Sequence, residues 1–224
     1  MQREPARVSR TKKQAEKFYD RISRWYGLEY RFEKNAIGKG IDMLRPRPGE
    51  RVLEIGFGTG ESVVEIARRV GDTGSVFGID ISSGMLHAAR DRVKKSGLVP
   101  RVKLARRDAS SLPYCDRFFD AVFMSFTLEL FDTPEIPVVL NECRRVLYPD
   151  GRACIVAMAK TRSPAVAAYE WVHRVLPQYA DCRPIYLDRA LEDARFDVVG
   201  SRRVGMWGLP VEISLAKKAL DKDG

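Results

Sequence analysis

The chain is short of the residues that carry metal and redox chemistry. It has four cysteines, Cys115, Cys143, Cys154 and Cys182, with no C-x-x-C spacing, and only two histidines. That excludes a structural zinc site, and no metal is expected. Scattered single cysteines fit a reducing compartment, where they serve as small apolar side chains. No apolar run approaches the roughly 20 residues that a membrane-spanning helix needs. The opening "MQREPARVSRTKKQAEK" is polar and basic and lacks the apolar centre of a secretory signal. A cytoplasmic location is expected. Internal repeats, low-complexity tracts and long linkers are also missing.

What is present is a chain of 224 residues, 45% hydrophobic and 31% charged, enough to bury a full core as one domain with an appendage. The net charge of +9 is unevenly spread. Residues 1–51 hold 14 Lys/Arg against 7 Asp/Glu, residues 52–151 hold 13 against 14, and residues 152–224 hold 12 against 9. The excess therefore sits at the start, around an amphipathic helical stretch at 9–26 in which Phe18, Ile22, Trp25 and Tyr26 recur at helical spacing. A solvated basic helix, an anionic membrane surface, an acidic substrate or a nucleic acid would each account for that charge.

A second helix is expected at 33–44, ended by "RPRPGE". From there strands and helices alternate. "RVLEIG", "SVFGID", "VKLARRD", "DAVFMSF" and "RACIVAMA" read as strands. "ESVVEIARRV", "GMLHAARDRVKKSG" and "PVVLNECRRVLY" read as helices, and "PDG" as a turn. This rhythm means βαβ units and a parallel sheet with helices on both faces. "SPAVAAYEWVHRVLPQY" and "LDRALEDARF" add two helices, the latter with Asp188 as its expected N-cap. The last two strands follow one another across a Gly-Leu-Pro break, so one of them must run against the rest. The expected fold is α/β: a Rossmann-like three-layer sandwich around a seven-stranded, mostly parallel sheet whose last strand is antiparallel, with an N-terminal helical lid. The expected division is 1–48 as that lid and 49–224 as the domain, with a helical substrate cover at 160–195.

The first strand runs into "VLEIGFGTG", placing Gly56, Gly58 and Gly60 at alternate positions before a helix. Missing Cβ atoms let a ligand approach the backbone, and the helix start offers free N–H groups. An acid about 20 residues on can hold ribose hydroxyls, and Asp80 stands at that distance, ending its own strand. Asp108 ends the next. A dinucleotide site would want a glycine where Glu61 stands, and it does not explain Glu54 within the strand or the closing hairpin.

These residues resemble the class I S-adenosylmethionine-dependent methyltransferases, and within them most closely the ubiquinone/menaquinone C-methyltransferase group. "VLEIGFGTG", "GIDIS.GML", "RRDASSLPYCDRFFDAVF" and "ECRRVLYPDGR" occur in family order, and "FYDRISRWYG" resembles that group's N-terminal segment. The resemblance implies S-adenosyl-L-methionine as cofactor. Glu54 and the backbone of Gly56, Gly58 and Gly60 would hold its amino-acid end. Asp80 would accept from both ribose hydroxyls, and Ile81 and Met85 would flank the adenine. Asp108 would accept from the adenine amino group with Ala109 beside it, and Ser125 would lie near the methionine portion.

Methyl transfer from a sulfonium needs alignment more than proton transfer, so the lack of a triad does not exclude an enzyme. Base candidates are Glu129, just after the fourth strand, and His173 in the "YEWVHRV" helix, with Asp132 farther along the same loop as Glu129. "SFTLEL" stands where branches acting on nucleic acid carry "DPPY"-like text, which disfavours DNA as acceptor. The apolar character of 18–26 and 165–179 suggests a cover over a small hydrophobic acceptor, such as a quinone precursor, and 9–26 would contact a membrane surface. Two alternatives stay open: a nicotinamide-dependent oxidoreductase, and a non-catalytic cofactor- or RNA-binding module.

Overall fold

A computed structural model describes residues 12–22, 30–175 and 182–219. Its elements alternate as the sequence rhythm requires: α1 (Lys12–Ile22), α2 (Tyr30–Leu44), β1 (Arg51–Ile55), α3 (Glu61–Arg69), β2 (Ser75–Asp80), α4 (Ser83–Lys95), β3 (Val102–Arg106), β4 (Phe119–Ser125), α5 (Ile136–Val146), β5 (Leu147–Met158), α6 (Pro164–Val175), α7 (Leu187–Asp193), β6 (Phe196–Met206) and β7 (Leu209–Lys218).

The seven strands form one sheet in the order β3-β2-β1-β4-β5-β7-β6. Strands β1 to β5 pair in parallel, and β7 is antiparallel to both its neighbours, as the closing hairpin demanded. Alternation along each strand divides the core in two. Val52, Val76, Phe123, Cys154 and Val156 face one side, with Ile37 and Ile41 of α2, Val63 and Ile66 of α3 and Ala89 of α4. Leu53, Ile55, Ile79, Val122, Met124 and Ile155 face the other, with Val139 and Leu140 of α5 and Leu191 of α7. Both faces are covered, so the strands read as near-continuous apolar runs. Each fully buried Ile, Val, Leu or Phe contributes on the order of 1.5–3 kcal/mol. The strand order reverses between β1 and β4, and a doubly wound sheet leaves a crevice at that point, at the carboxyl ends of its strands. Among the described residues no helix is long and apolar enough to cross a membrane.

Four local expectations need correction or narrowing. Of the helix expected at 9–26, residues 12–22 form α1, while 9–11 and 23–26 lie outside the described residues. The helix expected through Tyr148 stops at Val146. Leu147 pairs with Phe119 instead, and Pro149–Gly151 is an out-of-register excursion within β5, since Ala121 already pairs with Arg152. The final hairpin turns at Trp207 and Gly208, not at Gly-Leu-Pro. Both residues have positive φ, 51° and 77°, as a turn matched to strand twist requires. Asp188 is not the N-cap of α7; Tyr186 holds that position. Asp188 lies in the first turn, where its Oδ1 accepts from the Ser214 hydroxyl at 2.5 Å.

Candidate active site

Strand β1 ends in a loop that all three glycines shape. Gly56, Gly58 and Gly60 have φ of 73°, 53° and 85°. At Gly56 an added Cβ would overlap the Thr127 side chain, so β1 and the segment after β4 approach more closely there than any side chain allows. At Gly60 it would meet the Ala89 Cβ at 2.8 Å, so this glycine sets how closely α3 packs on α4. Gly60 is also the N-cap of α3 and supplies no side-chain cap, which leaves the first N–H groups of that helix without one. Arg92 of α4 braces the loop from outside, its Nε donating to the Thr59 carbonyl at 2.8 Å.

Two carboxylates close the loop from the side. Asp80 ends β2, and its Oδ2 accepts from Gly58 N–H at 3.1 Å while its Oδ1 accepts from Ser82 N–H at 2.9 Å. Burial raises its carboxyl to about 6, against the pull of N–H donors from Ser82, Gly58 and Ile81. Asp108 follows β3 and accepts from Ser110 N–H at 2.9 Å. Each acid thus shapes its own turn. That local role coexists with exposure to the crevice, because both line it.

The crevice is a cavity of about 380 Å³, within the roughly 300–1,000 Å³ usual for small-molecule sites. Gly56, Gly58, Asp80, Ile81, Met85, Asp108, Ala109 and Ser125 all line it, so most of the residues expected around the cofactor share one wall. Met85 is only 1% exposed and belongs to the core as well. Glu54 and Gly60 stand apart from that wall. Glu54 is fully buried and takes a hydrogen bond from the Ser62 hydroxyl on Oε1, while its buried Oε2 has no hydrogen-bond partner. Burial pushes its carboxyl up to about 8; the Ser62 bond opposes this, and the charges of Glu61 and Asp80 add to it.

Of the two expected bases, Glu129 does not line the cavity. Glu129 is fully buried in the short turn after β4, and its Oε1 accepts from Met158 N–H at 3.1 Å. Its side chain serves the end of β5 and does not face the reaction side, because a turn at Thr127–Leu130 swings it inward. Burial raises its carboxyl to about 8. His173 lies in α6, but its side chain is outside the described residues. Asp132 does line the cavity. It accepts from Thr133 N–H at 2.8 Å, and Glu135 reaches back to Asp132 N–H at 3.2 Å, a capping arrangement ahead of α5.

Several wall residues were not singled out from sequence. Phe126, Thr127, Leu130, Phe131 and Pro134 form an apolar side beyond Ser125, and Ala15 and Tyr19 reach in from α1. Phe126 takes φ 48°, a left-handed conformation rare for an aromatic residue, and its N–H donates to Val156 carbonyl at 2.8 Å. The amphipathic pattern at 9–26 signalled α1 and its covering role, but not that Ala15 and Tyr19 are the residues that reach the cavity. Nothing in the residue pattern marked Thr127 or Arg92.

Three features fit an adenosyl amino acid. The N–H groups of Gly56, Gly58 and Gly60 are taken by the Ile79 carbonyl, Asp80 and the Phe57 carbonyl, so it is the start of α3, uncapped by any side chain, that suits a carboxylate. The unpartnered Glu54 Oε2, although apart from the cavity wall, suits an ammonium group, and Asp80 and Asp108 at adjoining strand ends suit a diol and an amine.

Comparison with known proteins finds a related domain and fold. A family model described as a methyltransferase domain matches residues 52–151. The ubiquinone/menaquinone biosynthesis C-methyltransferase UbiE of Bordetella avium is 37% identical over 138 residues, 61% of this chain and 52% of that protein. The chain thus spans about half the length of the curated relatives it matches. Among solved structures, a SAM-dependent methyltransferase from Aquifex aeolicus aligns with TM-score 0.62 and 24% identity over 82% of this chain and 89% of its own. The [4+2]-cyclase SpnF aligns with TM-score 0.75 and 18% identity over 96% of this chain and 100% of its own. At these identities the structural likeness is one of fold.

Proposed function

We propose that the chain, whose residues 52–151 match a methyltransferase domain, is a class I S-adenosylmethionine-dependent methyltransferase that transfers a methyl group to a small, apolar acceptor of the quinone-precursor kind. The observation that carries this reading is the single cavity in which a glycine loop and two strand-end carboxylates meet an apolar wall.

When bound, the cofactor supplies a methyl group already activated by positive charge, so the chain's task is positioning. Glu54 Oε2 and the loop of Gly56–Gly60 would hold its amino-acid end, although neither Glu54 nor Gly60 lines the cavity. Asp80 accepts from the ribose hydroxyls with the carboxylate oxygens that Gly58 and Ser82 aim. Ile81 and Met85 flank the adenine, Asp108 accepts from its amino group with Ala109 beside it, and Ser125 lies toward the methionine portion. Phe126, Leu130, Phe131 and Pro134 exclude water and fit an apolar acceptor better than a charged one. Alignment of the two reactants is worth roughly 7–11 kcal/mol, enough to make a dedicated base unnecessary for an acceptor that is already nucleophilic.

The N-terminal segment 1–48 acts as a lid in this reading. Ala15 and Tyr19 contribute α1's part of the wall. The basic stretch 9–26 then brings the cavity mouth to an anionic membrane surface where an apolar acceptor resides. None of the described residues of the expected cover 160–195 lines the cavity, and α7 packs on β6, β7 and α5. The name of the UbiE relatives supports a quinone-related acceptor.

The test is incubation with methyl-labelled S-adenosylmethionine and a panel of prenylated hydroquinones, phenols and free bases. Label transfer to the hydroquinones supports the reading. Transfer only to polar acceptors, or to RNA, would replace it.

A further inference from the structure

Asp20 ties helix α1 to the start of α4 by three hydrogen bonds. Asp20 follows Tyr19 and turns to the start of α4. Its Oδ1 accepts from the Ser82 hydroxyl at 2.6 Å and from Gly84 N–H at 2.9 Å, and its Oδ2 accepts from the Ser83 hydroxyl at 3.2 Å. An anion at this place also meets the positive end of α4. Burial opposes the charge, yet the bonds from Gly84, Ser82 and Ser83 hold the Asp20 carboxyl below the ordinary aspartate range.

Of these residues Ser82 also serves Asp80, through a different group. Ser82 is the N-cap of α4 and accepts from Met85 N–H at 3.0 Å, while its own N–H donates to Asp80 Oδ1. A single residue, Ser82, therefore joins the lid to Asp80. Glu16 of α1 also pairs with Arg106 at 2.7 Å, between side chains 33% and 54% exposed. A pair so open to solvent contributes little. An 11-residue helix is marginal by itself, so α1 keeps its place through such docking. Ala15 and Tyr19 form part of the cavity wall, and widening the cavity on that side requires α1 to move.

We propose that Asp20 is a positioning residue: a latch that holds α1 over the cavity and sets the rate at which the adenosyl cofactor and its demethylated product exchange. The proposal rests on the cofactor reading above. It adds that exchange is gated at the α1–α4 junction, not at the glycine loop.

The test uses the full chain and S-adenosylhomocysteine as probe. Dissociation is followed by stopped-flow displacement in the unsubstituted protein and in Asp20→Ala, Asp20→Asn and Glu16→Gln. Loss of charge-assisted hydrogen bonds is expected to speed dissociation in Asp20→Ala by about tenfold or more, with Asp20→Asn in between. Glu16→Gln is expected to stay within about twofold. Hydrogen exchange of residues 13–22 in the ligand-free proteins is the second measurement. Faster exchange there in Asp20→Ala, with α4 beyond Met85 unchanged, is the signature of a released lid. Equal dissociation rates, or unchanged protection of α1, would overturn the latch while leaving the cofactor reading intact. Failure of the unsubstituted protein to bind the probe would instead overturn the cofactor reading and, with it, the gating role.

Discussion

Asp80 is the residue on which cofactor binding turns, since it joins β2, the glycine loop and α4. Asp80→Ala is expected to weaken S-adenosylhomocysteine binding by roughly 1.5–3 kcal/mol, as for loss of charged hydrogen bonds, with the fold retained by circular dichroism. The ligand-free carboxyl titrates at about 6 because burial disfavours its charge. Only the ionised form accepts from both ribose hydroxyls. Affinity should therefore hold above this value and fall about tenfold per pH unit below it, as calorimetry at a series of pH values would show. A flat profile from neutral to about pH 5 would remove Asp80 from the ribose. Glu129 makes a contrasting case. In the fold it keeps its proton to about 8, whereas the unperturbed group loses it near 4.5. The folded state binds more protons across that window, so its share of stability is lost as pH rises through it. Glu129→Gln mimics the neutral carboxyl and should lose less stability than the unsubstituted protein between about pH 4.5 and 8 in denaturant titrations. If Glu129 were instead the base that accepts a proton from substrate, the Gln variant would lose turnover at every pH.

At the scale of elements, the decisive one is the β1–α3 loop. Gly56→Ala combines a positive φ with overlap on Thr127, two strains that cannot both relax while β1 and the β4 end keep their approach. A loss of about 1–3 kcal/mol of stability is expected, with cofactor binding abolished, measured by thermal melting with and without ligand. Unchanged melting and binding would mean that the loop tolerates a side chain and that its glycines have another purpose. This loop was readable in the sequence because glycine spacing is a backbone property, visible without knowing any neighbour. Asp80 and Asp108 were readable for the same reason: each ends an apolar strand, so strand and acid together place it at the sheet's edge. Glu129 was misplaced because its direction depends on a single turn, and a one-residue change of phase exchanges cavity for core. The apolar wall of Phe126 to Pro134 was not legible at all. It is built from an irregular segment whose shape comes from contacts with β5 and Arg183, whose guanidinium donates to Phe131 carbonyl at 2.7 Å from 52 residues away. The end of α5 at Val146, expected at Tyr148, and the hairpin turn at Trp207–Gly208, expected at Gly-Leu-Pro, were misplaced for a similar reason, since pairing partners rather than local propensity fix where a strand begins.

Across the whole molecule, the alternation of short apolar strands with amphipathic helices sets the layers, the reversal of strand order between β1 and β4 sets the crevice, and the residues at the strand ends set its chemistry. Fold alone does not fix activity, as the likeness to a [4+2]-cyclase illustrates. The central claim is therefore about one ligand in one cavity. Its most direct measurement is isothermal titration of S-adenosylhomocysteine into the full chain, in parallel with a nicotinamide dinucleotide. The account predicts saturable binding of S-adenosylhomocysteine at one site per chain, weakened by Asp80→Ala, and no heat from the dinucleotide. Saturable binding of the dinucleotide with none of S-adenosylhomocysteine would contradict it.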